Sequence, residues 1–215
     1  MKISRLHIIG SNTLISSQIE MSEMACRGGA DWFQARIKNE VAKTTLDIVE
    51  RIKLICDYYE AKLIINDHVK IAKKIKAYGV HLGKQDMPVA EARKILGKKF
   101  IIGATANTEE DVKNLISEGA DYIGLGPYKF TKTKKNLSPL LGLNGIREIC
   151  EIYGRKIPII AIGGIELSDV KDLQDCGSYG IAISSAIADT VDPIAATESF
   201  IKTLNKNTHE AFTHR

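Results

Sequence analysis

The sequence predicts a single (β/α)8 barrel, and three observations carry that prediction: eight short runs rich in Ile, Val and Leu, helical periodicity between them, and glycine at recurrent helix-to-strand joints. In chain order the runs are "RLHIIG", "DWFQARIK", "AKLIIND", "YGVHLG", "KFIIGATA", "DYIGLGP", "IPIIAIGG" and "YGIAISSA". Each is short, apolar and bounded by turn residues, as a buried parallel strand should be. The intervals place apolar residues three and four apart, as in "TTLDIVERIKLICDYY" and "TEEDVKNLISEGA". In the second of these, Thr108 followed by Glu110 and Asp111 reads as a helix start. "GGADW", "GADYIG" and "CGSYGIA" mark one joint three times, a helix ending at glycine and feeding a strand. The alternative, an open doubly wound sheet, lacks a GxGxxG after its first strand.

At 215 residues and 44% hydrophobic, the chain supports one core and sits at the small end of what this barrel needs. No linker or low-complexity block interrupts the alternation, so residues 1–204 form one domain, and "NKNTHEAFTHR" (205–215) is expected to fray. The formal charge of +4 is spread along the chain. That suits a small anionic ligand and argues against a nucleic-acid groove, which needs clustered base. The N-terminus "MKISRLHIIGSNTL" is too short in its apolar run for a leader or a membrane span, and a cytoplasmic enzyme is expected. Cys26, Cys56, Cys150 and Cys176 lack CxxC spacing and read as small buried residues rather than zinc ligands or a disulfide framework.

In such a barrel, polar residues at the C-terminal ends of the strands share one mouth. Along "QARIK", two-residue alternation puts Gln34, Arg36 and Lys38 on one face and Phe33, Ala35 and Ile37 on the other. Two cations and an amide there suit an oxygen-rich anion such as a diphosphate. Asn66 and Asp67 end the third strand, and Asp86 follows the fourth. Each carboxylate could cap a following helix, yet two from neighbouring strand ends also match how Mg2+ is held. His81, inside the fourth strand, reads as a packed, hydrogen-bonded residue, while Thr105 and Asn107 offer a hydroxyl and an amide after the fifth. Gly163 and Gly164 after the seventh strand, with Ser184 and Ser185 after the eighth, form a monophosphate cradle of bare amides and a helix start. Between these two anionic regions runs "GLGPYKFTKTKKN", whose Thr131, Thr133 and Lys134 could reach both.

From "RLHIIG" to "SSAIADTVDP" the chain resembles the thiamine-phosphate synthase family. The ordered set "QARIK", "IIND", "GVHLGKQDMP", "IIGATANT", "GLGPYKFTKTKK", "AIGGI" and "ISSAI" carries the resemblance. It implies a magnesium-dependent transferase that joins hydroxymethylpyrimidine diphosphate to a carboxylated thiazole phosphate. The products would be thiamine monophosphate, diphosphate and carbon dioxide. By motif, Gln34, Arg36, Lys38, Asn66, Thr105 and Lys134 would bind the pyrimidine diphosphate. Asp67 and Asp86 would hold the metal. Thr131, Lys132, Thr133, Gly164, Ser184 and Ser185 would bind the thiazole phosphate. The resemblance gives Arg36, Lys38, Thr105 and Lys134 the catalytic work on the leaving group.

The chain departs from the family at Ile37, where an acidic residue is common, at Thr105 for serine, at Asn107 for histidine, and at Tyr128–Phe130 before the threonines. Three rivals remain on sequence grounds. A related thiazole tautomerase shares the fold but carries a histidine where this chain has Pro127. A non-catalytic phosphate-binding barrel would not need the metal carboxylates. A phosphosugar isomerase or aldolase would need a lysine or a paired acid and base within the barrel.

Overall fold

The computed structural model describes residues 2–12, 17–38, 40–130 and 139–213, with side chains through residue 206. Its order is β1 (Leu6–Ile9), α1 (Gln18–Arg27), β2 (Trp32–Ala35), α2 (Ala42–Tyr58), β3 (Lys62–Asn66), α3 (Val69–Lys74), β4 (Gly79–Leu82) and α4 (Val89–Leu96). There follow β5 (Ile101–Ala106), α5 (Glu109–Ser117), β6 (Tyr122–Leu125), α6 (Gly142–Tyr153), β7 (Ile159–Ile162), α7 (Val170–Asp175), β8 (Gly180–Ile183), α8 (Ser185–Ala188) and α9 (Pro193–Thr213). All neighbouring strands are parallel, and β1 pairs with β8, so the sheet closes into the expected (β/α)8 barrel. α9 carries helical backbone well into the segment read as a fraying tail. No helix among the described residues is long and apolar enough to cross a membrane.

The helix boundaries follow from local chemistry. Ser17 and Glu20 close a capping box on α1, and Thr108 and Asp111 close one on α5. Gly29, Gly119 and Gly177 take φ near +90°, and each ends its helix with the paired return bonds of a Schellman turn, such as Ala30 N to Ala25 O and Gly29 N to Cys26 O. These are the three joints marked by repeated glycine in the sequence.

Strand alternation divides the core in two. Leu6, Ile8, Phe33, Leu63, Ile65, Val80, Ile102, Ile123, Ile159 and Ile181 face the helices. Trp32, Ile64, Ile101, Tyr122, Ile160 and Ala182 face inward and fill the barrel. His7 joins this interior, stacked on Trp32 with ring centroids 4.4 Å apart and edge-on to Tyr122 at 5.0 Å. The four cysteines are buried and free, as expected. They meet in two pairs, Cys26 with Cys56 and Cys150 with Cys176, across neighbouring helices.

Candidate active site

Gln34 is the last inward residue of β2, and Asn66 ends β3. Parallel pairing of these strands brings their side chains together, and Gln34 Nε2 donates to Asn66 Oδ1 at 2.9 Å. Both side chains are buried, so the amide pair forms a polar floor to the mouth.

β2 ends at Ala35, so the expectation that Arg36 and Lys38 lie on the strand itself is corrected: they follow it. Alternation nevertheless persists past the ladder. Ile37 is buried against the helices, Arg36 is half-buried, and Lys38 is exposed. The segment is fixed by Gln18 at the start of α1, whose amide donates to Arg36 O at 2.6 Å and accepts from Arg36 N at 2.9 Å. Gly10 permits this, because a Cβ there would collide with the side-chain amide oxygen of Gln18.

Asp67 follows β3 at φ +64°, a left-handed conformation that aspartate tolerates. Its carboxylate pairs with Lys38 and is hydrogen bonded to the Asp86 carboxyl. Asp86 also accepts from Gly83 N at 2.7 Å. Neither carboxylate caps a helix: the N-cap of α3 is His68 and that of α4 is Pro88, both without a side-chain cap bond. Burial and then the hydrogen bond to Asp67 push Asp86 up to about 6, against the bond from Gly83 N. Burial also opposes charge on Asp67, but hydrogen bonds from Asp86 and Lys38 hold it below the usual carboxylate range. Two crowded carboxylates at adjacent strand ends are a donor set that fits a hard divalent cation with water and phosphate completing its shell. Among the described residues no cluster of three or more metal-binding side chains exists. Asp67 and Asp86 could thus supply two oxygen ligands of an open shell rather than a closed protein cage.

Thr105, near the end of β5, points inward and is hydrogen bonded to His81 Nε2 at 3.0 Å. His81 is buried with its other ring nitrogen 3.0 Å from Tyr122 Oη, as expected for a packed, hydrogen-bonded histidine. Asn107 is also buried. It donates from Nδ2 to Gly126 O, tying the end of β5 to the end of β6.

On the far side, Gly163 and Gly164 adopt φ of +110° and +60°. The chain leaving β6 lies directly over them: Tyr128 N donates to Ile162 O at 2.8 Å and Lys129 N to Gly163 O at 2.9 Å. A Cβ on Gly164 would come within 2.5 Å of Phe130 O, so glycine is required for this close approach. Lys129 adds an ion pair to Asp169 at 2.6 Å. The unusual Tyr128–Phe130 stretch thus anchors the root of the loop to the β7 side. Ser184 spends its hydroxyl on Ile9 O at 2.8 Å, joining β8 to β1, while Ser185 opens α8 with its side chain exposed. Thr131, Lys132, Thr133 and Lys134 lie outside the described residues.

The structure thus gathers Gln34, Arg36, Lys38, Asn66, Asp67, Asp86 and Thr105 at the ends of β2 to β5, with Gly164, Ser184 and Ser185 at the ends of β7 and β8. Sequence reasoning missed Gln18, Tyr122 and the Lys129–Asp169 pair. Tyr122 carried a signal, since two-residue alternation along β6 turns it inward. Gln18 and Asp169 carried none, because their partners are distant in sequence.

Comparison with known proteins identifies the family. The family model described as thiamine monophosphate synthase matches residues 6–187. A thiamine-phosphate synthase of Phocaeicola vulgatus is 50% identical over 204 residues, covering 92% of this chain and 96% of its own. One from Bacteroides fragilis is 46% identical over 199 residues, covering 91% and 98%. The solved structure of a thiamine phosphate pyrophosphorylase from Pyrococcus furiosus superposes with a TM-score of 0.86 at 32% identity, covering 94% of this chain and 96% of that one. The chain belongs to the thiamine monophosphate synthase family and is an enzyme of the transferase class.

Proposed function

We propose that the mouth joins hydroxymethylpyrimidine diphosphate to a thiazole phosphate, carboxylated or plain, releasing diphosphate and giving thiamine monophosphate. The barrel over residues 1–204 is the catalytic domain, and it works in the cytoplasm on small phosphorylated substrates. One observation carries this reading: Asp67 and Asp86 meet beside Lys38, next to the Gln34–Asn66 amide pair at the ends of β2 and β3. That arrangement serves a diphosphate with its cation and has no use in a proton transfer on the thiazole alone.

Gln34 and Asn66 present amide groups to the pyrimidine end of the substrate. Arg36, Lys38 and Lys134 bind the diphosphate oxygens, and Thr105 donates its hydroxyl near the departing group. Asp67 and Asp86 hold Mg2+, which when bound offsets charge on the leaving diphosphate. Loss of diphosphate from the pyrimidinylmethyl carbon leaves a resonance-stabilised cation. The protein therefore needs neither a strong nucleophile nor a general base, and its cations act by stabilising developing negative charge. Thr131, Lys132, Thr133, Gly164 and the amides at Ser184 and Ser185 hold the thiazole phosphate, so that its ring nitrogen meets the cation already oriented. With a carboxylated thiazole, carbon dioxide leaves as well.

The test is formation of thiamine monophosphate and diphosphate from the two purified substrates, with and without Mg2+, for wild type and Lys134→Ala. Metal-dependent product that drops at least about a hundredfold in the variant is the expected result. A folded protein that binds thiazole phosphate but makes no product would overturn the reading in favour of a tautomerase or a binding protein.

A further inference from the structure

Tyr122 is not among the residues that face either anion, yet three strands are arranged around it. In the β4–β5–β6 ladder His81 lies opposite Gly103, and Gly103 lies opposite Tyr122. All three positions point into the barrel at one level. Any side chain on Gly103 would stand between the two rings, since a Cβ there would fall on Tyr122 Cζ. Glycine lets the phenol cross β5 and bring Oη to 3.0 Å from His81 Nδ1. One level higher on the same face of β5, Thr105 Oγ1 lies 3.0 Å from His81 Nε2. Gly124 makes room for the imidazole, because a Cβ there would lie 3.0 Å from His81 Cε1. Two glycines on adjacent strands therefore admit one continuous chain of polar atoms, Tyr122 Oη, His81 and Thr105 Oγ1.

The direction of the hydrogen bonds follows from Tyr122. Its hydroxyl is fully buried, and burial, with the nearby Asp121 charge, keeps it protonated far above its usual range. Among the described residues His81 is the hydrogen-bond partner of that hydroxyl. A phenol that only accepted from Nδ1–H would leave its own proton without an acceptor in a buried site, which is costly. The phenol must donate to Nδ1. Neutral His81 then carries its proton on Nε2 and donates to Thr105 Oγ1. The threonine oxygen, once it accepts, has its own O–H left to aim at the mouth. Were the tautomer reversed, Thr105 would donate inward to Nε2 and turn a lone pair toward an incoming anion, which repels it.

We propose that Tyr122, acting through His81, is a positioning residue that fixes Thr105 as a hydrogen-bond donor toward the leaving group. The inference rests on the reading above in which Thr105 faces the diphosphate. Chains of hydrogen bonds also polarise one another, so the Thr105 O–H is a stronger donor than an isolated hydroxyl. Tyr122 touches no substrate. Its effect is expected in the step where charge builds on the leaving group rather than in ground-state binding.

Two measurements test this. The first needs no catalysis: nitrogen NMR of His81 in the unliganded protein, for wild type and Tyr122→Phe, which keeps the ring and removes only the hydroxyl. The expected result is the Nε2–H tautomer in wild type and a gain of Nδ1–H in the variant. An Nδ1–H tautomer in wild type overturns the relay whatever the protein catalyses. The second is a double-mutant cycle on product formation. Tyr122→Phe should lower kcat about tenfold with KM for the pyrimidine diphosphate nearly unchanged, and should cost nothing further in a Thr105→Ala background. Thr105→Ser should restore the sensitivity to Tyr122→Phe. An equal loss in both backgrounds would mean that Tyr122 serves packing alone and would overturn the proposal. If wild type shows the Nε2–H tautomer but forms no product, the synthase reading fails while the orientation of the relay stands.

Discussion

Gln18 and Arg36 are joined through a single amide: Gln18 donates to the Arg36 carbonyl at 2.6 Å and accepts from the Arg36 N–H at 2.9 Å. The side chain of α1 thus does for Arg36 what a neighbouring strand would do if β2 continued. Gln18→Ala leaves two backbone groups unpaired in a partly buried site, and urea unfolding should show a loss of about 1–3 kcal/mol. Because the same bonds aim Arg36, KM for the pyrimidine diphosphate should rise about tenfold. An unchanged KM with reduced stability would remove Arg36 from the diphosphate site.

The carboxylate pair makes a metal prediction. Asp67 and Asp86 repel one another unless a proton or a cation lies between them, and Asp86 has been pushed up to about 6. Mg2+ should raise the melting temperature of wild type, and the shift should keep growing with the logarithm of its concentration above Kd. Asp86→Asn should abolish most of that shift, while chelation of the wild type stops diphosphate release. A full Mg2+ response in the variant would move the metal elsewhere.

His7 predicts acid lability of the barrel interior. Burial, then the repulsion that a protonated His81 ring would exert in acid, pushes its imidazole down to about 3, with only the bond to Ser4 O opposing. The native state excludes a proton that the unfolded chain binds below about 6.5, so the stabilisation is present above that pH. It is lost as pH falls from about 6.5 toward 3, at up to about 1.4 kcal/mol per pH unit. Urea midpoints measured between pH 7 and 5 should fall more steeply for wild type than for His7→Phe. Parallel slopes would show that native His7 takes up its proton as readily as it does in the unfolded chain.

Gly103 and Gly97 separate two reasons for glycine. Gly97 has φ +75° and ψ −172°, and a methyl added there would meet nothing within 4 Å, so Gly97→Ala carries only backbone strain of about 1–3 kcal/mol. Gly103 is set against the Tyr122 ring in the buried interior. Gly103→Ala should therefore cost about 3 kcal/mol or more, seen as a large fall in the denaturation midpoint. Similar losses for the two variants would contradict the packing described here.

What the sequence by itself determined was local and periodic. Eight apolar runs and their intervals specify the barrel, because strand and helix periods are written in consecutive residues. Thr108 announced the α5 cap and Gly29, Gly119 and Gly177 the helix ends, since capping needs only neighbours. Strand-end positions also placed Asp67, Asp86, Gln34 and Thr105 at one mouth. Tertiary structure alone decided how these groups are held. That Gln18 rather than the β2 ladder orients Arg36, that Lys129 reaches Asp169, and that Tyr122 crosses Gly103 to reach His81 depend on residues 18 to 41 positions apart. No local preference encodes such contacts; barrel closure creates them, by bringing strand ends and helix starts within hydrogen-bonding distance in a buried space where an unpaired polar group is costly.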